Sequence, residues 1–309
     1  MNSTNLVPAP MIYSTLALSI IGLFGNITIV LVTILNKNLH SRCNLLIGLL
    51  AFFDVIVCIY LVHLRVLMIL DMYMLSSTKC FLLSSYGLFA LNMQSSLGLV
   101  IGLDRLYNVS YPTRYSTLPN SIYVAMILFC IAFSFSVTLS GYTYASDFEI
   151  VPVCLPPSAY TDKSRIFWIS SNFIIAILVI FVYGSAHFRC QILRNRHVHE
   201  QTMEAVNRLL KSLTIVIAIY VSTWFLTISS LVVSQVISFS PLVTAEINRQ
   251  LGWLVIINAS LNFFVYFWRT SEYRKTILRL YGLSRVFSLE STSIAAATRV
   301  LKSSQVRIN

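Results

Sequence analysis

Residues 44–64 read NLLIGLLAFFDVIVCIYLVHL, a run in which Asp54 is the one formally charged side chain. At the rise of an α-helix such a run is about 30 Å long, the thickness of bilayer hydrocarbon. A helix of that length at the surface of a soluble domain would carry charges along its outer face. This one carries none there, so its solvent is lipid.

Working outward, six more stretches share this character. The seven span cores are Met11–Leu35, Asn44–Leu64, Cys80–Leu103, Ile122–Ala145, Ile166–Phe188, Ser212–Ile237 and Leu251–Trp268. Asp54 remains the only formal charge in all of them, with His63 and His187 near span ends. The whole chain of 309 residues is 57% hydrophobic and 11% charged, with a mean hydropathy of +0.76, which excludes an ordinary soluble domain. Barrel strands are excluded too, because they are roughly ten residues long and alternate apolar with polar positions. Helices satisfy their own backbone groups in lipid. The expected fold is an all-α integral membrane protein, a bundle of seven transmembrane helices.

Charge gives the orientation. With the N-terminus outside, 17 of the 22 Lys and Arg residues fall on cytoplasmic segments, a positive-inside distribution. The net charge of +11 then belongs to a face that meets anionic lipid and cytosolic partners, and nucleic acid is not expected as a partner. Residues 1–10 hold no Lys or Arg and the first span is too long for a signal peptide, so it reads as an N-out anchor. Asn2-Ser3-Thr4 is a glycosylation sequon on the expected outer side. Residues 11–270 form the bundle. Residues 271–282 form an amphipathic helix on the inner leaflet, with Tyr273, Ile277 and Tyr281 on one face and Arg274, Lys275 and Arg279 supplying charge. Residues 283–309 form a Ser- and Thr-rich cytoplasmic tail open to kinases.

A carboxylate at mid-membrane depth should face polar partners inside the bundle. For Asp54 the candidates are Asn26, Gln94, Asn258 and Asn262, the last two lying four apart on one helical face. Two readings stand: a switch with a sodium ion beside the carboxylate, or a structural polar knot. At the inner end of the third span, Asp104-Arg105-Leu106 sets an acid beside a guanidinium, followed by Tyr111-Pro-Thr-Arg-Tyr115. Such a pair can close in one state and release in another; the plainer alternative is an interfacial Arg. Cys80 stands at the outer end of the same span, about 37 Å of helix from Arg105, with Cys154 in the next outer loop. An oxidising exterior permits a disulfide there, restricting the open chain by about 4–5 kcal/mol. The remaining cysteines, Cys43, Cys58, Cys130 and Cys190, are expected as free thiols.

The seventh span ends in Asn262-Phe-Phe-Val-Tyr266. With Gly25-Asn26, Leu50-x-x-x-Asp54, the Asp104-Arg105 pair and the two cysteines, this resembles the rhodopsin-like G-protein-coupled receptors from Gly25 to Gly282. A closer likeness is to the nematode serpentine receptor class SX chemoreceptors, carried by CNLLIGLLA from Cys43, YGLFALNMQS from Tyr86 and NFFVYFWRTSEYR from Asn262. The pattern is departed from at Leu106, which stands for a Tyr, at Phe263, which stands for a Pro, and at Leu226 after Tyr220-Val-Ser-Thr-Trp224, where a Pro is usual. The fourth span lacks its Trp and the fifth its Pro, so the helix bends of that family cannot be assumed.

The resemblance implies a plasma-membrane chemoreceptor, in the sensory-neuron cilium by the same likeness, binding an extracellular chemical or peptide and activating a heterotrimeric G protein, with arrestin-like partners at its tail. Asp104, Arg105, Asn262, Tyr266 and Tyr183 would form the coupling switch, with Glu204 a second acid for Arg105 and a basic cleft between Arg189, Arg208 and Lys211. The ligand pocket is expected from His63 and Arg65, from Leu88, Leu91 and Asn92, from Trp224, Thr227, Ile228 and Leu231, and from Gly252 and Ile256. Gly87 stands where amine receptors carry an Asp, which speaks against a biogenic amine, and the seventh span has no Lys for retinal. A mainly apolar cavity for a small, weakly polar molecule or a peptide end follows. Arg65 is either a carboxylate anchor or, more simply, a snorkelling flank. Trp224 is a pocket floor or a core residue. The rival function is a channel or transporter, although no inverted repeat or set of buried charges supports one. No nucleophile triad or metal spacing signals an enzyme, and no cofactor is expected beyond sodium near Asp54.

Overall fold

The computed structural model describes residues 7–72, 74–195, 214–237 and 239–282. In chain order its helices are α1 (Ala9–Leu35), α2 (Arg42–Ile69), α3 (Ser77–Ser110), α4 (Pro112–Thr117), α5 (Asn120–Tyr144), α6 (Pro156–Ala159), α7 (Asp162–Asn195), α8 (Thr214–Ile237), α9 (Pro241–Arg269) and α10 (Ser271–Leu280). Seven of them, α1, α2, α3, α5, α7, α8 and α9, are long and apolar enough to cross a membrane. Asn2, Glu204, Arg208, Lys211 and the tail 283–309 lie outside the described residues.

The helices start where local chemistry says they should. The Ser41 and Ser76 hydroxyls each accept from a backbone amide at 3.4 Å, that of Asn44 and that of Lys79, capping α2 and α3. Prolines open α4 and α9, where a missing N–H costs nothing. Most helices outrun the apolar cores read from sequence. α3 continues seven residues past Leu103, so Asp104 and Arg105 are helical; polar ends crossing the headgroup zone are invisible to hydropathy.

α3 is the central staff, packed by α2, α5 and α7, with 72% of its most apolar window buried against 17% for α5. Small residues permit the close crossings. A Cβ on Gly87 would fall 2.1 Å from the Tyr60 ring, so the position that amine receptors give to an acid is closed by an aromatic from α2. A two-stranded ribbon, unforeseen in the sequence, pairs β1 (Leu75–Ser76) antiparallel with β2 (Ile150–Val151), Leu75 opposite Val151.

Two other local features differ from expectation. α8 has no proline, yet residues Val221–Phe225 form a π-helical turn around Trp224. A π turn inserts one extra residue and redirects the helix, so it supplies the irregularity that Leu226 does not. α10 is amphipathic as read, and part of its apolar face packs on the bundle itself. Tyr273 and Ile277 are buried against α1 and α2, the Tyr273 hydroxyl reaching Thr33 Oγ1 at 3.0 Å and the Asn44 carbonyl at 3.3 Å. Burial pushes the Tyr273 phenol up to about 12, so it stays a donor. Gly282, at φ +69°, follows the helix in the left-handed conformation that glycine tolerates.

Candidate functional site

At the outer end, Cys80 at the head of α3 and Cys154 meet at disulfide distance, with Cα atoms 5.6 Å apart. The other four cysteines are free and buried. The linkage draws the loop 145–161 down into the mouth of the bundle. Tyr160 is fully buried, its ring stacked 5.2 Å from Trp168, and Thr161 donates to the Tyr144 carbonyl at 2.8 Å.

Beneath this loop lies an outer cavity. Six of the expected pocket residues line it: Arg65, Leu91, Trp224, Thr227, Leu231 and Gly252. Five do not. Leu88, Ile228 and Ile256 are wholly buried in the core. His63 turns to the flank of the bundle, where its Nδ1 lies 3.0 Å from the Tyr86 hydroxyl. Asn92 is a bonded hub: its Oδ1 accepts from Trp168 Nε1 and Asn172 Nδ2, both at 3.1 Å, while its Nδ2 donates to Thr138 and Tyr160. With both amide atoms used it ties α3, α5, α7 and the loop together and offers a ligand nothing. Leu61, Trp168, Asn248, Leu251 and Val255 complete the walls. Leu155, Pro156 and Pro157 form the roof, a contribution that helix patterning cannot foresee because it comes from a loop folded back by the cysteine pair. Arg65 is 2% exposed and lines the cavity, which overturns the snorkelling alternative.

A second, inner cavity runs from Trp224 down between α3, α7, α8 and α9 to Tyr183 and Tyr266. Trp224 borders both cavities and is itself buried, so the choice between floor and core residue dissolves: it is the partition. Gln94, Asn258 and Asn262 line the inner space. Of the four candidate partners of Asp54, Asn262 alone bonds it, donating to Oδ2 at 2.5 Å. Asn258 instead accepts from Thr223 in the π turn at 3.0 Å, and Asn26 donates to the Ala259 carbonyl at 2.9 Å. Asp54 Oδ1 is buried with no hydrogen-bond partner.

At the inner end the expected Asp104–Arg105 pair is replaced by another arrangement. Asp104 Oδ1 accepts from the Tyr123 hydroxyl at 2.7 Å and the Tyr115 hydroxyl at 3.0 Å. Successive residues on a helix point about 100° apart: Asp104 turns its carboxylate to α4 and α5, while Arg105 has Cys43, Tyr183, Asp104 and Tyr266 within electrostatic reach. Burial, and then the adjacent Asp104 carboxylate, push the Tyr115 phenol above its usual range, so it remains a donor. Arg42 completes the cluster, donating to the carbonyls of Tyr115 at 3.0 Å and Leu118 at 2.6 Å with its guanidinium over the Tyr123 ring. Arg189 is exposed on α7.

The profile of the serpentine type 7TM GPCR chemoreceptor Srsx family matches residues 19–281, from the middle of α1 through α10. No curated protein matches the chain.

Proposed function

The chain belongs to the Srsx family of serpentine seven-transmembrane GPCR chemoreceptors, and we propose that it binds an extracellular molecule in the outer cavity and activates a cytosolic heterotrimeric G protein. The observation that carries this reading is Trp224. It borders both cavities from a π turn, where the regular α-helical hydrogen-bond pattern of α8 is interrupted. A ligand pressing on the indole from above has a route to the inner cavity, and through Asn258 and Asn262 to Tyr266 and Arg105. The ligand needs only to favour one of two packings of that partition.

In this reading the N-terminus, with Asn2 glycosylated, is outside at the plasma membrane and the basic face meets the G protein. Asp54 Oδ1 is an oxygen acceptor without a partner, which suits a sodium ion that would neutralise the buried carboxylate. Arg105 is the coupling side chain. Nucleotide exchange on purified G protein, with surface receptor quantified in parallel, tests this. Arg105→Ala should abolish exchange while leaving surface abundance within about twofold, since the substitution empties an interior cleft without breaking an ion pair. Wild-type exchange by Arg105→Ala at matched abundance would sink the mechanism.

A further inference from the structure

We propose that the inner cavity, beneath Trp224, is a binding site of its own for a small neutral alcohol with a short hydrocarbon chain. The site does not depend on what the outer cavity binds. Three of its lining side chains end in polar atoms that are buried with no hydrogen-bond partner: the Ser95 hydroxyl from α3, and the Tyr220 hydroxyl and Trp224 Nε1 from α8. Ser95 and Trp224 are each 3% exposed, so bulk water does not serve them. Buried polar groups left unpaired cost stability, and each of these calls for a partner that the neighbouring side chains do not supply. Gly98 of α3 borders the same space, and a Cβ there would meet nothing within 4 Å.

The lining selects among occupants. No Asp, Glu, Lys, Arg or His is among the described lining residues, so an ion would lie there without a counter-charge against the wall. Trp224 Nε1 can only donate, whereas the Ser95 and Tyr220 hydroxyls both donate and accept. An alcohol hydroxyl matches that set, because its oxygen accepts from an N–H while its proton goes to a neighbouring oxygen. Leu50, Ile101, Val179, Val216, Ile217 and Val265 line much of the remainder with hydrocarbon. Water cannot use those walls, since a buried water needs roughly two to four polar partners, but an alkyl chain can. The cavity measures about 70 Å³. At roughly 10–15 Å³ for each water-sized unit it holds about five to seven such units, the size of butanol, pentanol or hexanol.

The test is photolabelling of the purified full-length receptor in detergent micelles with a diazirine-bearing hexanol, the labelled residues being identified by mass spectrometry. This registers binding whether or not the receptor couples. Label should fall on walls of the inner cavity such as Ile217 and Val265, and hexanol should compete with a Kd on the order of 0.1–1 mM, the weak affinity suited to so small a molecule. Chloropentane, which cannot donate, and hexanoate, which is charged, should compete about tenfold less well or worse. Gly98→Leu puts hydrocarbon into the cavity and replaces a helix-interior glycine by a better helix former, so it should fold and lose label about tenfold. Ser95→Ala combined with Tyr220→Phe keeps the shape of the cavity and removes two of its three unpaired groups. That variant should lose the preference for hexanol over chloropentane, a second reading that does not depend on the folding of Gly98→Leu. Gly252→Leu, in the outer cavity, should keep the label. Label undiminished in Gly98→Leu, or an unchanged preference for hexanol in the double variant, would overturn the proposal. Label lost in Gly252→Leu but kept in Gly98→Leu would also overturn it, by placing the alcohol in the outer cavity. So would chloropentane or hexanoate competing as well as hexanol, or an absence of saturable label, which would leave the inner cavity to water.

Discussion

At the scale of single residues, the structure reassigns a carboxylate. Asp104 stands next to Arg105 in sequence but spends its hydrogen bonds on Tyr115 and Tyr123. This separates two accounts of the same mutation. If Asp104 restrained Arg105 by charge, Asp104→Asn and Asp104→Ala would raise ligand-independent exchange alike. Because an amide oxygen can still accept from two phenols, Asp104→Asn should stay near wild type. Asp104→Ala, and the double change Tyr115→Phe with Tyr123→Phe, should shift the resting balance by roughly fivefold per hydrogen bond of about 1 kcal/mol. Basal nucleotide exchange per surface receptor measures it, and equal effects of Asn and Ala would restore the ion-pair account. Asp54 has a comparable test. Asp54→Asn keeps a side chain that can bond Asn262 but removes the charge, so surface delivery should persist while the effect of sodium on signalling disappears. A sodium response identical to wild type would reduce Asp54 to a structural residue.

At the scale of elements, the roof covers the outer cavity and the π turn carries the residue that borders both cavities. The roof is held at Cys80–Cys154 across a sequence separation of 74, at the β1–β2 ribbon, and by Tyr160 against Asn92. Closing a loop of that size restricts the unfolded chain by about 4–5 kcal/mol. Cys80→Ser and Cys154→Ser should therefore each cut surface delivery severely. The double change should be no worse than either, since both remove one bond. Flow cytometry of intact cells reads this directly, and normal delivery of the single variants would show the link to be dispensable. The π turn was hidden from sequence for a physical reason: proline advertises a helix distortion, whereas a π turn of Val221–Phe225 uses residues that any membrane helix contains.

At the scale of the whole molecule, the bundle is organised around α3 and braced by α10 at the end that carries Arg105. Asn36 donates to Thr276 at 2.7 Å, and the Tyr281 hydroxyl lies 2.6 Å from that of Thr28, so α10 is locked to α1. The positive-inside distribution is the argument for this face lying in the cytosol. An epitope after residue 309 should therefore be stained only in permeabilised cells, and Asn2→Gln should abolish a glycosidase-sensitive shift in gel mobility. Staining of the epitope on intact cells would reverse the topology.

What the sequence determined by itself was the set of seven spans and the family, because lipid imposes length and apolarity on every residue of a span and the motifs around Asp54, Arg105 and Asn262 sit in single helices. It also indicated the cysteine pair. Which neighbours those residues chose was decided only in three dimensions. Asn258 and Asn262 share a face, yet one bonds Thr223 and the other Asp54, because α9 packs against both α8 and α2. Arg65 could have reached for the headgroups as easily as for the cavity, since its stem allows both; in the folded chain it is buried and lines the cavity. Side-chain direction within a bundle depends on helix rotation and crossing. Those are properties of pairs of helices, and no one span encodes them alone.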